Sequence, residues 1–365
     1  MLETSHQIAE QFAAPENIAG IEPLGKGNIN ETYLVSCRDG KLDRFVLQRL
    51  NPRVFPEPES VMTNLRLLRD HLARKTGSSP DIIPEIISDR FGNDLLPDRE
   101  GAVWRALSYI DGSTFEEMSG SIHQQQDLFR EAGRLLARFH RLTADLSPAF
   151  LRDPLPGLHD TRAYLHRYKK IRSRLGQVTY GNDFFYCEEF ISARPGIAGE
   201  LAGAEEQGIL RKRLIHGDPK LDNFIFAGRD GKVIALLDLD TVKPGLILHD
   251  LGDFLRSVCN RGGEDPDHLS DVRFDLDFFE AALTGYIKEG RSTLGENDFL
   301  HLYQAVRLIP FELGLRFFTD YLEGNVYFKT MDREQNLRRA LVQFRLVESI
   351  EANEAAIRSV ISALV

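Results

Sequence analysis

The sequence predicts an α+β protein of two lobes: a smaller, strand-rich lobe first and a larger, mainly helical one after it. Three observations carry this. Up to about residue 110, short apolar runs are separated by glycine turns. Beyond it, apolar residues recur at three- and four-residue spacing, the period of a helix facing a core. Around residues 214–238 the period returns to that of strands, in a stretch dense with Asp, Asn, His and Lys. A chain of 365 residues has room for both lobes and an ample core.

In order, residues 21–24 read as a strand entering Gly25-Lys26-Gly27-Asn28. Residues 32–36 and 44–50 read as the next two, joined at Asp39-Gly40, since strand, glycine turn, strand is a hairpin signature. Val61, Leu65, Leu68 and Leu72 form a helical stripe after Pro58, and Gly77 ends it. Residues 82–88 and 102–110 read as strands around a polar loop. Asp111-Gly112 is the expected hinge, dividing residues 1–111 from residues 112–365. Leu128, Ala132, Leu135, Phe139 and Leu142 mark a helix, and Thr161 is expected to cap another running to about Gly176. Residues 196–208 read as a mobile loop or weak helix. Strands follow at 214–216, 224–226 and 233–238, the latter two joined at Arg229-Asp230-Gly231. Helices are expected at about 247–260, 274–289, 298–322 and 334–364.

Composition narrows the function. Hydrophobic residues make up 42% and charged residues 27%, and the formal net charge is -10. That balance favours neither nucleic acid nor an anionic membrane as partner. Cys37, Cys187 and Cys259 are too scattered for a disulfide framework or a zinc site. With no apolar leader after Met1 and no membrane-length apolar run, the expected location is the cytoplasm, as a monomer or small homo-oligomer.

The chemistry sits in His216-Gly217-Asp218-Pro219-Lys220-Leu221-Asp222-Asn223, with Asp238 following after a hairpin. Gly217 and Pro219 force a turn that fixes the Asp218 carboxylate. Phosphoryl transfer from ATP needs this set. Asp218 takes a hydroxyl proton, Lys220 faces the transferring phosphoryl group, and Asn223 and Asp238 offer hard oxygens to Mg2+. Asp240 is either a second ligand or a substrate contact. His216 is read as a brace for the loop.

Residues 214–245 resemble the phosphotransferase family of aminoglycoside and choline kinases, which is protein-kinase-like in fold. The resemblance implies that Asp218 is the catalytic base and that Asn223 and Asp238 are the magnesium ligands. It also implies that Asp250, in His249-Asp250-Leu251-Gly252-Asp253, caps a helix and holds the loop. Gly25, Gly27 and Asn28 resemble the family's nucleotide loop, where glycines let backbone amides approach phosphates. The family places a cation on the next strand; here that strand is Phe45-Val46-Leu47-Gln48-Arg49-Leu50, without lysine. Strand alternation lets only one of Gln48 and Arg49 face the cleft. The backbone from about Leu107 through Tyr109 to Ile110 is expected to meet the adenine edge.

On the acceptor side, Arg316 and Asp320 share a helix face, Gly324 breaks the helix, and Asn325 and Tyr327 follow in an extended turn. Bidentate donors, acceptors and an aromatic surface suit a polyhydroxylated ligand. This segment, together with Gly27-Asn28-Ile29-Asn30, Phe45-Val46-Leu47-Gln48-Arg49 and Leu237-Asp238-Leu239-Asp240-Thr241-Val242, is similar to N-acetylhexosamine 1-kinases, over about residues 20–350. The likeness implies an amino-sugar acceptor phosphorylated on its anomeric hydroxyl. Asp218, Arg316, Asp320 and Tyr327 are then the substrate contacts, with the helix near Ser257 as a further wall. The alternatives are an aminoglycoside, choline or amino-alcohol kinase, and a catalytically silent nucleotide-binding regulatory module.

Overall fold

The computed structural model describes residues 2–25, 29–38, 43–77, 81–118, 120–176, 181–228 and 231–365. Helix α1 (Leu2–Ala9) precedes strands β1 (Ile18–Pro23), β2 (Glu31–Cys37) and β3 (Arg44–Arg49). Helix α2 (Pro58–Thr76) follows, then β4 (Ile86–Ile87), β5 (Leu96–Pro97) and β6 (Val103–Ser108). All six strands form one antiparallel sheet in the order β1-β2-β3-β6-β4, with β5 pairing β6 beside β4. Strand β5 lies inside the stretch expected as a polar loop.

Strand alternation decides what the sheet offers to each side. Tyr33, Val35, Phe45, Leu47, Trp104 and Ala106 are buried on one face, where Ile8 and Ala9 of α1 cover them. On the other face the register sets Gln48 between Thr32 and Arg105, and Leu107 beside Val46. That second face is turned toward the larger lobe. Helix α2 belongs to the larger lobe's core: Val61, Met62, Leu65, Leu68 and Leu72 are continuous with it. Asn64, fully buried in α2, donates to the carbonyls of Arg152 (3.0 Å) and Val242 (2.7 Å) and accepts from Arg152 N (2.8 Å).

The expected boundary at 111/112 falls between β6 and α3 (Phe115–Met118), where Ser113 bridges to Phe226. Next come α4 (Ile122–Thr143), α5 (Thr161–Arg172), α6 (Asn182–Ser192) and α7 (Glu200–Glu206). Ser121 and Gln124 close a capping box on α4, satisfying two donors at the helix start. Asp160, not Thr161, caps α5, its carboxylate accepting from Ala163 N at 3.0 Å. Thr161 instead turns its hydroxyl to Glu312 at 2.5 Å. Residues 200–206 are helical because Leu201 and Ala204 bury one face.

The β-insert comprises β7 (Arg213–Ile215), β8 (Phe224–Ala227), β9 (Lys232–Leu236) and β10 (Lys243–Gly245), paired β8 with β9 and β7 with β10. Helices α8 (Ile247–Cys259), α9 (Leu276–Gly290), α10 (Glu296–Leu300), α11 (Leu302–Leu322), α12 (Gln335–Ala352) and α13 (Glu354–Leu364) complete the chain. Helices α4 and α9 cross in near backbone contact at two glycines. A Cβ on Gly133 would lie 2.2 Å from Ala282 O, and one on Gly285 would lie 1.9 Å from Arg130 O. This approach seats His140 of α4 beside Tyr286 of α9 under the loop that follows β7.

Candidate active site

The loop after β7 is held from below. Asp250, one turn into α8, accepts from His216 N (2.7 Å) and Gly217 N (2.8 Å). His140 Nε2 donates to the same carboxylate (2.8 Å), and its Nδ1 takes the Tyr286 hydroxyl (2.7 Å). Those hydrogen bonds outweigh the cost of burial and hold the Asp250 carboxyl below its usual value. Asp250 therefore holds the loop as expected, but it does not cap α8, whose N-cap is Leu246 without a side-chain bond. Gly217 has φ +90°, and a Cβ there would meet Thr241 O at 2.6 Å; only glycine fits both demands.

His216 is the expected brace. Its Nε2 donates to Leu237 O (2.9 Å) and its Nδ1 accepts from Asp218 N (3.3 Å). Burial keeps its pKa low, so the ring is neutral and can do both. Two turns further along α8, Ser257 Oγ accepts from Leu221 N at 2.9 Å. Its hydroxyl thus braces the loop from the helix expected as a further acceptor wall.

The four loop residues converge. Lys220 Nζ lies 3.3 Å from Asp218 Oδ2, and the Asp218 charge holds the lysine protonated. Asn223 Nδ2 donates to Asp218 O (2.7 Å) and approaches its Oδ2 (3.4 Å), which leaves the amide oxygen for a cation. Leu237 N donates to Asn223 O at 2.8 Å, bringing the next residue, Asp238, alongside. Asp238 sits at φ 58°, ψ 56°, a left-handed conformation that a non-glycine residue holds only where its surroundings impose it.

Asp238 opens onto the cleft, yet enclosure by the cleft walls, then the charges of Asp240 and Asp218, raise its carboxyl to about 7. Crowded carboxylates of this kind call for a cation. Among the described residues no group of three or more His, Cys, Asp and Glu could hold a metal alone. One carboxylate and one amide oxygen fit Mg2+, which takes few protein ligands and fills its shell with nucleotide phosphates and water.

The nucleotide side corrects part of the expectation. Arg49 lies on the face away from the cleft, opposite Glu31, with Nη1 at 3.1 Å from that carboxylate and Nη2 at 4.0 Å from Glu100. Gln48 faces the cleft side, donating to Thr32 Oγ1 (3.2 Å) and accepting from Arg105 Nε (3.0 Å) and Nη2 (2.7 Å). Arg105, only 1% exposed, also pairs with Asp240. Asp240 takes Asn30 Nδ2 on its other oxygen at 2.7 Å. Both oxygens of Asp240 are therefore engaged within the protein. Gly25, with φ 71°, ends the first strand's approach; Lys26, Gly27 and Asn28 lie outside the described residues. Past Leu107 the ladder ends at Ser108, and Tyr109 leaves it with Arg44 stacked 4.6 Å over its ring.

On the acceptor side Arg316 of α11 lies in an aromatic cage. Its guanidinium carbon is 5.2 Å from the Tyr164 ring centre, 5.7 Å from that of Tyr327 and 5.4 Å from that of Phe328. Among the described residues no carboxylate is within ion-pairing distance of it. Asp320 corrects the expectation of a direct contact. Its Oδ1 accepts from Val326 N (3.0 Å) and Tyr327 N (2.8 Å), and its Oδ2 from Phe328 N (3.0 Å) and Asn336 Nδ2 (2.9 Å). With four donors and 3% exposure, it shapes the turn that presents Tyr327 and Phe328.

His159 went unread in the sequence. It joins the acceptor helix to the loop, with Nδ1 3.2 Å from Glu312 Oε1 and Nε2 3.0 Å from Gly217 O. Both partners are acceptors, so both ring nitrogens donate. Burial opposes the charge, but Glu312 prevails and raises the imidazole pKa. No motif marks His159 or Arg105, whose partners lie far away in sequence.

Residues 20–286 match the model of the Phosphotransferase enzyme family. The chain belongs to this family. Its fold is similar to that of a microcompartment-associated aminopropanol kinase, at 17% identity and TM-score 0.61 over 98% of this chain and 99% of that one. A choline kinase from Cryptosporidium parvum is 13% identical with TM-score 0.63, covering 99% of each chain. An aminoglycoside phosphotransferase from Alicyclobacillus acidocaldarius is 14% identical with TM-score 0.63, over 97% of this chain and 95% of that one. The protein is thus a small-molecule phosphotransferase with a protein-kinase-like fold. No helix among the described residues is long and apolar enough to cross a membrane.

Proposed function

We propose that the chain is an ATP-dependent, Mg2+-requiring kinase acting on an N-acetylhexosamine to give the sugar 1-phosphate. Asp218 takes the proton of the anomeric hydroxyl, whose oxygen forms a bond to the γ-phosphorus as the bond to the ADP oxygen breaks. An anomeric hydroxyl is more acidic than an ordinary alcohol, so a carboxylate is base enough. Lys220 balances the charge that moves. Asn223 and Asp238 hold Mg2+, which when bound neutralises the phosphates. We take residues 1–111 as the nucleotide lobe, residues 112–365 as the catalytic and acceptor lobe, and the cytoplasm as its place.

The observation that carries the sugar reading is the caged, unpaired Arg316. The similar aminopropanol, choline and aminoglycoside kinases are named for amine-bearing compounds. An ammonium ~5 Å from an unpaired guanidinium is disfavoured by about 3 kcal/mol at an effective dielectric of ~20. The rings that would hold a cationic ligand already hold Arg316. A neutral polyol gains its donors at no such cost. One observation favours the amino-alcohol alternative: Asp253 Oδ2 is buried and has no hydrogen-bond partner among the described residues, and a buried carboxylate oxygen suits an amine.

A coupled ADP-release screen over N-acetylglucosamine, N-acetylgalactosamine, other hexoses, choline, aminopropanol and aminoglycosides tests this. The expected result is highest kcat/KM for an N-acetylhexosamine, with its anomeric methyl glycoside inert. Preference for an amine overturns the sugar reading. Arg316→Ala is expected to raise the acceptor KM at least tenfold and the ATP KM less than twofold.

A further inference from the structure

The strand that should carry a phosphate-site cation has Gln48 there, and the cation stands one strand away. Arg105 is directly opposite Gln48 in the β3–β6 register. It is one of the largest fully buried side chains, and a buried guanidinium persists only if its donors are used. Gln48 Oε1 accepts from Nε and Nη2. Nη1 makes a long contact to Met62 Sδ at 4.0 Å, and the charged partner, Asp240, belongs to the larger lobe and lies two residues after Asp238. Asp240 in turn holds Asn30, two residues before the Thr32 that joins β2 to Gln48, and Asn30 Oδ1 accepts from Asn51 N at 3.0 Å. The chain Asn51–Asn30–Asp240–Arg105–Gln48–Thr32 is in the smaller lobe except for one carboxylate.

We propose that Arg105 is a positioning residue that fills the place of the absent strand lysine by plugging Asp240 into the smaller lobe, so that the backbone around Asn30 and the metal-binding edge move as one piece. This rests on the reading of Asn223 and Asp238 as the Mg2+ site. The consequence is specific to nucleotide. With the latch intact, the backbone at residues 29–30 and the metal edge meet the same phosphates without reorganisation. With it broken, phosphate contacts and metal contacts must be ordered separately on binding. The acceptor, held by the other lobe, is indifferent.

The test uses the full-length protein with Arg105→Met, and with the double variant Arg105→Gln/Asp240→Asn. The double variant removes both charges and so leaves no lone buried ion should the single variant fail to fold. Three readouts apply: calorimetric binding of MgATP, separate KM values for ATP and acceptor, and amide exchange at residues 29–35. The expected result is MgATP affinity weakened at least tenfold, ATP KM raised in step, acceptor KM within twofold, and faster exchange at 29–35. Variants that melt earlier yet bind MgATP within twofold of the parent overturn the proposal, as does an acceptor KM that moves as far as that of ATP. A parent protein that binds no MgATP would instead overturn the underlying kinase reading, so the two failures are distinguishable.

Discussion

The proposed mechanism gives Asp218 and Asp238 different tasks, and single substitutions separate them. Asp218→Asn removes the proton acceptor but keeps the shape, so turnover should fall by about 10²–10⁴ while calorimetric MgATP binding changes less than twofold. Asp238 must lose its proton to hold metal, and enclosure with neighbouring charges raises its carboxyl to about 7. MgATP affinity should therefore climb as pH rises toward 7, by up to about tenfold per unit, and level off above it. Stability runs the other way. A carboxyl raised in the folded state favours folding below its unfolded value, and that contribution is lost as pH rises through 7. Asp238→Asn should thus raise the Tm of the metal-free protein at pH 8 while abolishing metal-dependent nucleotide binding. Asp218, Lys220, Asn223 and Asp238 were legible in the sequence because one short loop and one hairpin fix their spacing. Asp320 was legible as polar and on the right helix face, but not as consumed. Three of its four partners are backbone amides six to eight residues on, beyond the left-handed Asn325, and a one-letter sequence does not display amides.

Among the elements, α8 carries the most. Asp250 and Ser257 tie down the two ends of the catalytic loop, and Gly252 lets α8 approach α11, with its Cβ position 2.6 Å from Ala305 O. Asp250→Ala would strand two buried amides and His140, and should cost about 3–5 kcal/mol. Thermal unfolding checks this, and kcat should fall even where the variant stays folded. The long helices were legible because their apolar faces keep one period. The expected span at 298–322 is broken at His301 into α10 and α11, and that at 334–364 at Asn353 into α12 and α13. Helix α6 was passed over although Phe184, Cys187, Phe190 and Ile191 bury one face of it. Helix α1 was too short to show a period, and β10 has only three residues, two of them Pro and Gly. Its pairing with β7 follows from the fold, not from strand propensity.

At the scale of the whole molecule the lobes do not divide the core evenly. The main core runs from α2 through α13, while the outer face of the sheet has its own small cluster under α1. Ile8→Ala should cost about 2–5 kcal/mol within that cluster. It should speed amide exchange in β2 and β3 while leaving α8 and α11 unchanged. Exchange that rises uniformly through both lobes would argue against the partition. The two-lobe plan was legible from the change of period, but the allegiance of α2 was not, because an amphipathic stripe records that a face is buried and not against what. The turn at 325–328 has a consequence of its own. Its path is dictated by a carboxylate gripping main-chain nitrogens, so the rings it displays are interchangeable cargo: exchanging Tyr327 or Phe328 should retune which acceptor the enzyme prefers while the scaffold beneath keeps its course.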